Sequence, residues 1–166
     1  MNIRLLSTKY CVKKIEEDNI RDVLGGCEGN PFYYSYYNRL PSVELIKEDL
    51  EALPPNKAKE DKYYVGFYKE DTLIAVLDLI DGYPDKDIAF IGFFMMNKDF
   101  QGKDIGTSII EECMEYLEKL KFKRVRLAYI KGNNQSKNFW LKNKFEHIGI
   151  EDMQERYMAV LLERVI

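Results

Sequence analysis

The sequence predicts an α/β (α+β) domain: a central mixed, mostly antiparallel sheet of about six or seven strands, with about four helices on its flanks. Three observations predict it. Segments with alternating or continuous apolar character are interleaved with segments whose apolar residues recur every three or four positions. Two apolar runs, Leu73 to Ile80 and Ile88 to Met96, suit buried strands and fall far short of the ~18 residues of a membrane span. The chain has 166 residues, 46% of them hydrophobic, with short loops throughout, so one domain over residues 1–166 can bury a continuous core.

The elements follow in order. Tyr10 to Ile15 alternates and reads as a strand. Asp18 can cap a helix that carries Ile20, Val23, Leu24 and Cys27 on one face, and Gly29-Asn30-Pro31 ends it. Phe32 to Tyr37 holds five aromatics in six residues between two prolines, a poor signal for either a helix or a core strand. Ser42 caps a second helix with Val43, Ile46, Leu50 and Leu53 at helical spacing, stopped by Pro54-Pro55. Tyr63 to Tyr68 is aromatic and β-branched, Lys69-Glu70-Asp71 is a hairpin turn, and Leu73 to Ile80 is apolar except for Asp78. Asp81 to Asp85 is a turn before the strand Ile88 to Met96. A long helix opens near Asp104 with Ile105, Ile109, Cys113, Tyr116, Leu117 and Leu120 as its buried stripe. Val125 to Ile130 is a strand, Gln135 to Asn143 a short helix, and Ile148 to Ile150 with Tyr157 to Leu162 a closing strand pair.

Charge and composition exclude several functions. Lys plus Arg is 25 and Asp plus Glu is 28, a formal charge of -3, so there is no bulk attraction for nucleic acid or an anionic membrane. Cys11, Cys27 and Cys113 are too few and too far apart for a disulfide framework or a zinc pattern. With His147 the only histidine and no clustered carboxylates, no metal site is expected. The N-terminus lacks the apolar run of a signal peptide. The expectation is a soluble, cytoplasmic protein, monomer or homodimer.

The stretch with chemical character is Ile88 to Thr107. A buried strand runs into Asn97-Lys98-Asp99-Phe100, then Gln101-Gly102-Lys103-Asp104-Ile105-Gly106-Thr107, then a helix. The first turn of a helix leaves backbone N–H groups unpaired under a partial positive charge, and small residues let a phosphate approach them. The spacing is neither the dinucleotide fingerprint nor a P-loop. Taken alone, it also fits an ordinary helix start.

This loop resembles the [Q/R]-x-x-G-x-[G/A] pyrophosphate loop of the GNAT acyltransferase superfamily, with Gln101 through Gly106 falling on it in order. A second pattern of that family follows the next strand: Asn133, Ser136, Phe139-Trp140, Lys142 and Lys144-Phe145. The resemblance implies an acetyl-CoA site on a sheet splayed beside it. The main chain of Phe94, Met95 and Met96 would pair with the pantetheine arm as an added strand does. The amides from Gln101 to Thr107, including those of Gly102, Lys103, Asp104, Ile105 and Gly106, would hold the pyrophosphate. Asn133, Ser136 and Trp140 would close the opposite side.

Three positions depart from the family pattern. Asp104 stands at the usual first glycine of the loop, where a carboxylate can cap the helix yet repels a pyrophosphate. Trp140 stands where many members carry a tyrosine acid, and indole is no usable acid. Phe90 stands where many carry a glutamate base. The base is then sought in Asp78, the one polar residue of a buried strand, or Asp81, at its end. Each also has a structural explanation, as a satisfied strand polar and an Asx-turn residue.

The resemblance places Phe32 to Tyr37 beside the acceptor groove. Tyr33, Tyr34 and Tyr36, with Tyr83 from the turn, are the substrate-binding expectation, by rigid aromatic contact and cation–π attraction. They equally suit packing of helices onto the sheet. The function implied is transfer of acetyl from acetyl-CoA to a primary amine by direct attack, without metal, the acceptor a small molecule. The alternatives are a non-catalytic acyl-CoA-binding module and an acetyltransferase of protein N-termini or lysines.

Overall fold

A computed structural model describes residues 1–166. Seven strands form one sheet in the order β1-β2-β3-β4-β5-β7-β6. They are β1 (Cys11–Lys14), β2 (Lys62–Lys69), β3 (Thr72–Ile80), β4 (Ile88–Met96), β5 (Arg124–Ile130), β6 (Glu146–Met153) and β7 (Met158–Val165). Every neighbouring pair is antiparallel except β4 with β5. The mixed, mostly antiparallel sheet expected from the sequence is therefore present.

The helices are α1 (Ile20–Glu28), α2 (Pro31–Tyr37), α3 (Val43–Glu51), α4 (Ile105–Lys119) and α5 (Asn134–Lys142). They cover both faces of the sheet. On one face Ile109, Ile110, Cys113, Met114 and Leu117 of α4 pack with Leu77, Leu79 and Leu127. On the other, Ile20, Val23 and Cys27 of α1 and Leu45 and Ile46 of α3 pack with Val76 and Met95. From Leu73 onward β3 is buried at every residue, so it is covered on both sides, as its unbroken apolar run requires. Ser42 accepts a hydrogen bond from the Leu45 amide and starts α3.

Three local expectations are corrected. Phe32 to Tyr37 is helical, as α2, and brings the number of helices to five. Pro31 sits at the first helical position, where its missing N–H costs nothing, and Asn38 ends the helix in the left-handed region at φ 56°. The aromatics stabilise it by pairing at helical spacing, Phe32 with Tyr36 and Tyr33 with Tyr37, at centroid distances of 5.1 and 6.1 Å. Leu120 leaves the buried stripe: α4 stops at Lys119, and Leu120 follows it, 41% exposed. Asp18 lies in a short 3-10 turn, and Asn19 holds the position before α1.

Candidate active site

The site begins where two strands part. β4 pairs with β5 only from Ile88 to Ile91, opposite Arg124 to Leu127. Beyond that, β4 continues along β3 to Met96 while β5 continues along β7 to Ile130. Gly92 is the extra residue of a bulge, with Phe93 opposite Asp78 and Ile91 opposite Leu79. Only glycine fits there, since a Cβ would stand 2.7 Å from Asp78 Oδ2. The Asn97 amide donates to the Ile74 carbonyl at 2.8 Å. By antiparallel alternation, Phe94 and Met96 then turn their backbone groups away from β3, into the gap. The Met96 carbonyl is taken by Asn30 Nδ2 at 3.0 Å and Gln101 Nε2 at 3.1 Å. The side chains of Met95 and Met96 are core, each 8% exposed.

Past Met96 the chain enters the loop before α4. None of the six backbone amides from 102 to 107 donates to a protein acceptor. Gly102 and Asp104 both take left-handed conformations, at φ 70° and 56°. Position 104 thus asks for glycine on backbone grounds, and Asp104 adopts the conformation at some strain. Its carboxylate does not cap the helix. It is exposed and accepts from Lys142 Nζ at 2.6 Å, which holds it below the usual carboxylate range. Gly106 allows a close approach: a Cβ would meet the Phe139 ring at 3.2 Å and Met96 at 3.3 Å.

A cleft of about 290 Å³ opens onto these groups. Phe94, Met95, Met96, Gln101, Gly102, Asp104, Gly106, Thr107, Asn133, Ser136 and Trp140 line it, whereas Lys103 and Ile105 do not. Lys103 Nζ turns to the Asp99 carbonyl at 2.8 Å. Asn133 is buried and caps α5 by accepting from the Ser136 amide at 3.0 Å, which leaves its Nδ2 donors without a protein acceptor. Trp140 packs between Phe94, Phe139 and Phe145.

Two further cavities adjoin. One of about 440 Å³ occupies the parting of β4 and β5 and shares Phe94, Ser136 and Trp140 with the cleft. The other, about 320 Å³, lies beneath α2 and α3, with Tyr33, Tyr34, Tyr37, Asp49, Lys62 and Asp78 in its wall. These two share Tyr33, Pro54, Phe90, Gly92, Phe93 and Tyr157. Asp78 is buried and accepts from Lys62 Nζ at 2.8 Å; burial holds its carboxyl above the ordinary range against the pull of that lysine. Asp81 and Tyr36 line none of the three cavities. Tyr83 lines the one between the strands, edge-on to Phe90 at 5.5 Å.

Asn30, Asp49, Lys62 and Tyr157 escaped the sequence reading, and Tyr37 entered it only as part of the aromatic segment. For Asp49 a signal existed: it lies four residues after Leu45 and three after Ile46, a carboxylate on the apolar stripe of its helix. Burial and the charge of Asp78 raise its carboxyl to about 6.

The profile of the Acetyltransferase (GNAT) family matches residues 17–145. The chain belongs to the GNAT acetyltransferase family. Solved structures share the GNAT fold. An acetyltransferase from Thermus thermophilus superposes with a TM-score of 0.75 at 17% identity, covering 93% of this chain and 96% of that one. PaiA N-acetyltransferase from Thermoplasma acidophilum, in complex with coenzyme A, gives 0.67 at 17% identity over 93% and 98%. The ribosomal-protein-S18-alanine N-acetyltransferase from Escherichia coli gives 0.63 at 12% identity over 93% and 92%. No curated protein sequence matches the chain. As a GNAT member, the chain is an acetyl-CoA-dependent N-acetyltransferase. No helix is long and apolar enough to cross a membrane.

Proposed function

We propose that this GNAT enzyme acetylates a primary amine on a small molecule, by direct attack of the amine on the acetyl-CoA thioester. The observation that carries the donor half is the run of free amides from 102 to 107 at the head of α4, beside the unpaired edge of β4. Convergent N–H groups at a helix N-terminus suit a pyrophosphate, and Gly102 and Gly106 keep side chains out of its way. Phe94 offers a free backbone N–H and C=O to the pantetheine arm, and the Met96 N–H adds a donor. Asn133 Nδ2 faces the arm from α5. A β4 amide aimed at the thioester oxygen would stabilise the charge that develops on it, as an oxyanion hole does.

The acceptor half is the cavity under α2 and α3. A volume of about 320 Å³, walled on several sides by rings, suits a small ligand better than a peptide main chain. Tyr33 and Tyr34 belong to that wall, Tyr83 to the passage between the strands. Of the two carboxylates read from the sequence as bases, Asp78 is the one beside this cavity. Trp140 packs and donates no proton; the amine's own second proton serves the departing sulfur. The free thiols of Cys11, Cys27 and Cys113 support a cytoplasmic setting.

The neighbours include enzymes that act on ribosomal proteins, so a protein N-terminus is the second reading. Thiol release from acetyl-CoA, assayed with small primary amines and with short peptides bearing a free N-terminus, separates the two. Turnover confined to peptides would reject the small-molecule acceptor. No turnover with either, in a chain that binds CoA, would favour a non-catalytic module.

A further inference from the structure

Resting on that acetyltransferase function, we propose that Asp49 of α3 is the catalytic carboxylate that receives the acceptor's ammonium and removes its proton. The enzyme thereby supplies from a helix the base that Phe90 cannot provide on β4.

Position comes first. Asp49 points from the inner face of α3 into the cavity under α2 and α3, with Phe93 and Gly92 of the bulge in the same wall. That wall continues into the passage between β4 and β5, and through it to the cleft beside α4. An amine held at Asp49 is therefore on the open side of the parted strands.

Charge comes second. The cavity has two carboxylates and one cation. Lys62 Nζ is committed to Asp78 Oδ2 at 2.8 Å and to the Ala52 carbonyl at 2.9 Å. Asp49 has no ion pair and no hydrogen bond, so one negative charge in the wall is uncompensated. Independently, Asp78 is 8% exposed and its Oδ1 has no partner at all. Asp78 Oδ1 is enclosed, so the unmet acceptor open to the ring-lined cavity is Asp49; it matches the N–H groups of an ammonium, and the faces of Tyr33, Tyr37 and Tyr157 suit a cation.

The groups facing Asp49 leave it able to titrate. Glu48, on the same helix, is tied to Arg39. β3 presents Asp78, and β2 presents Lys62 and Tyr64. Cys27 of α1, Tyr33, Tyr34 and Tyr37 of α2, and Tyr157 ahead of β7 are all pushed upward by burial, so they stay neutral between pH 5 and 8. Asp78, whose carboxyl burial also raises, is the other carboxylate of the wall, and a variant separates the two.

In the reaction, the ammonium gives one proton to Asp49, leaving a neutral amine and a carboxylic acid. The amine nitrogen forms a bond to the thioester carbon, and the C–S bond breaks. The nitrogen's second proton passes to the departing sulfur. Products are the acetamide and CoA thiol, and Asp49 returns its proton to water.

The test uses the full chain with acetyl-CoA and three acceptor probes: phenethylamine, 1,4-diaminobutane and an alanine-initiated hexapeptide. Asp49→Asn should lower kcat/KM for the best probe by about 10²–10⁴-fold, the range of a positioned base. The wild-type rise of kcat/KM with pH near 6 should vanish with it, Asp49→Glu should restore part of the rate, and CoA affinity by calorimetry should be unchanged. Asp78→Asn should keep the rise but displace it to lower pH, because the charge of Asp78 helps raise the Asp49 carboxyl. Retention of rate and pH rise in Asp49→Asn, or loss of the rise in Asp78→Asn alone, would overturn the assignment. So would a wild-type chain that binds CoA but turns over none of the probes. A wild-type chain that fails to bind CoA would instead overturn the donor site on which the proposal rests.

Discussion

The cleft beside α4 and the cavity under α3 meet at Tyr33, through the passage between β4 and β5, but they are made of different material. The cleft is mostly backbone: the amides from 102 to 107, the free edge of β4, and glycines that clear the way. The cavity is mostly side chain, assembled from α2, α3, β2, β3, β4 and the residue before β7. A backbone site suits the CoA carrier that members of the family share, which is the donor role proposed for it. A side-chain site can be rebuilt without touching the fold, and here two carboxylates and a lysine stand among rings.

The largest effect should come from blocking the backbone site. Gly106→Glu places a charged side chain where even a Cβ meets Phe139 at 3.2 Å. CoA binding by calorimetry should fall below detection, about 10³-fold or more, with the helical circular dichroism retained. Undiminished affinity in the folded variant would remove the loop from the donor site.

Next is the cost of an unpaired carboxylate. Asp49 titrates at about 6 in the fold against an ordinary 3.8. Between about pH 4 and 6 the native state therefore holds a proton that the unfolded state has lost, so stability falls as pH rises through that window and is flat above it. Asp49→Asn removes the penalty. It should stabilise the chain by about 1–3 kcal/mol at pH 7 in urea unfolding, and the gain should vanish near pH 4. An Asn variant less stable than wild type at pH 7 would mean that Asp49 is paired rather than unmet. Residues that serve chemistry often carry such a cost.

That contrast also explains what was legible in the chain. The loop from Gln101 to Gly106 is contiguous, and its constraints act on backbone conformation and clearance, so they appear as glycines at fixed spacing. The parting of the strands was expected because the family resemblance carried by the loop and the Asn133 to Phe145 pattern implies it. Asp49, Lys62 and Tyr157 are scattered over more than a hundred positions, and only the three-dimensional sheet brings them together. The helix from Pro31 to Tyr37 was missed for a related reason. Its propensity is low, and ring pairing with Phe93 and Tyr157 stabilises it. Asp78 was legible as the odd polar residue in a buried strand; its partner Lys62, sixteen residues away, was not.

Smaller effects test the packing roles. Trp140→Phe should retain activity within about fivefold, because the indole is enclosed by Phe94, Phe139 and Phe145 and makes no hydrogen bond. A loss of 10²-fold or more in initial rate would give the indole N–H a direct part in transfer. Smallest of all should be Asp104→Gly. The carboxylate already leans on Lys142, so its removal should tighten CoA by only about two- to fivefold, and most at low salt. Weaker binding in that variant would mean that the carboxylate organises the loop.

Amide hydrogen exchange with and without CoA tests the division between the two regions most directly. The account predicts that CoA slows exchange at the amides from 102 to 107 and at Phe94 and Met96, and leaves the α3 amides around Asp49 unchanged. Protection centred on α3, or none between 102 and 107, would contradict it.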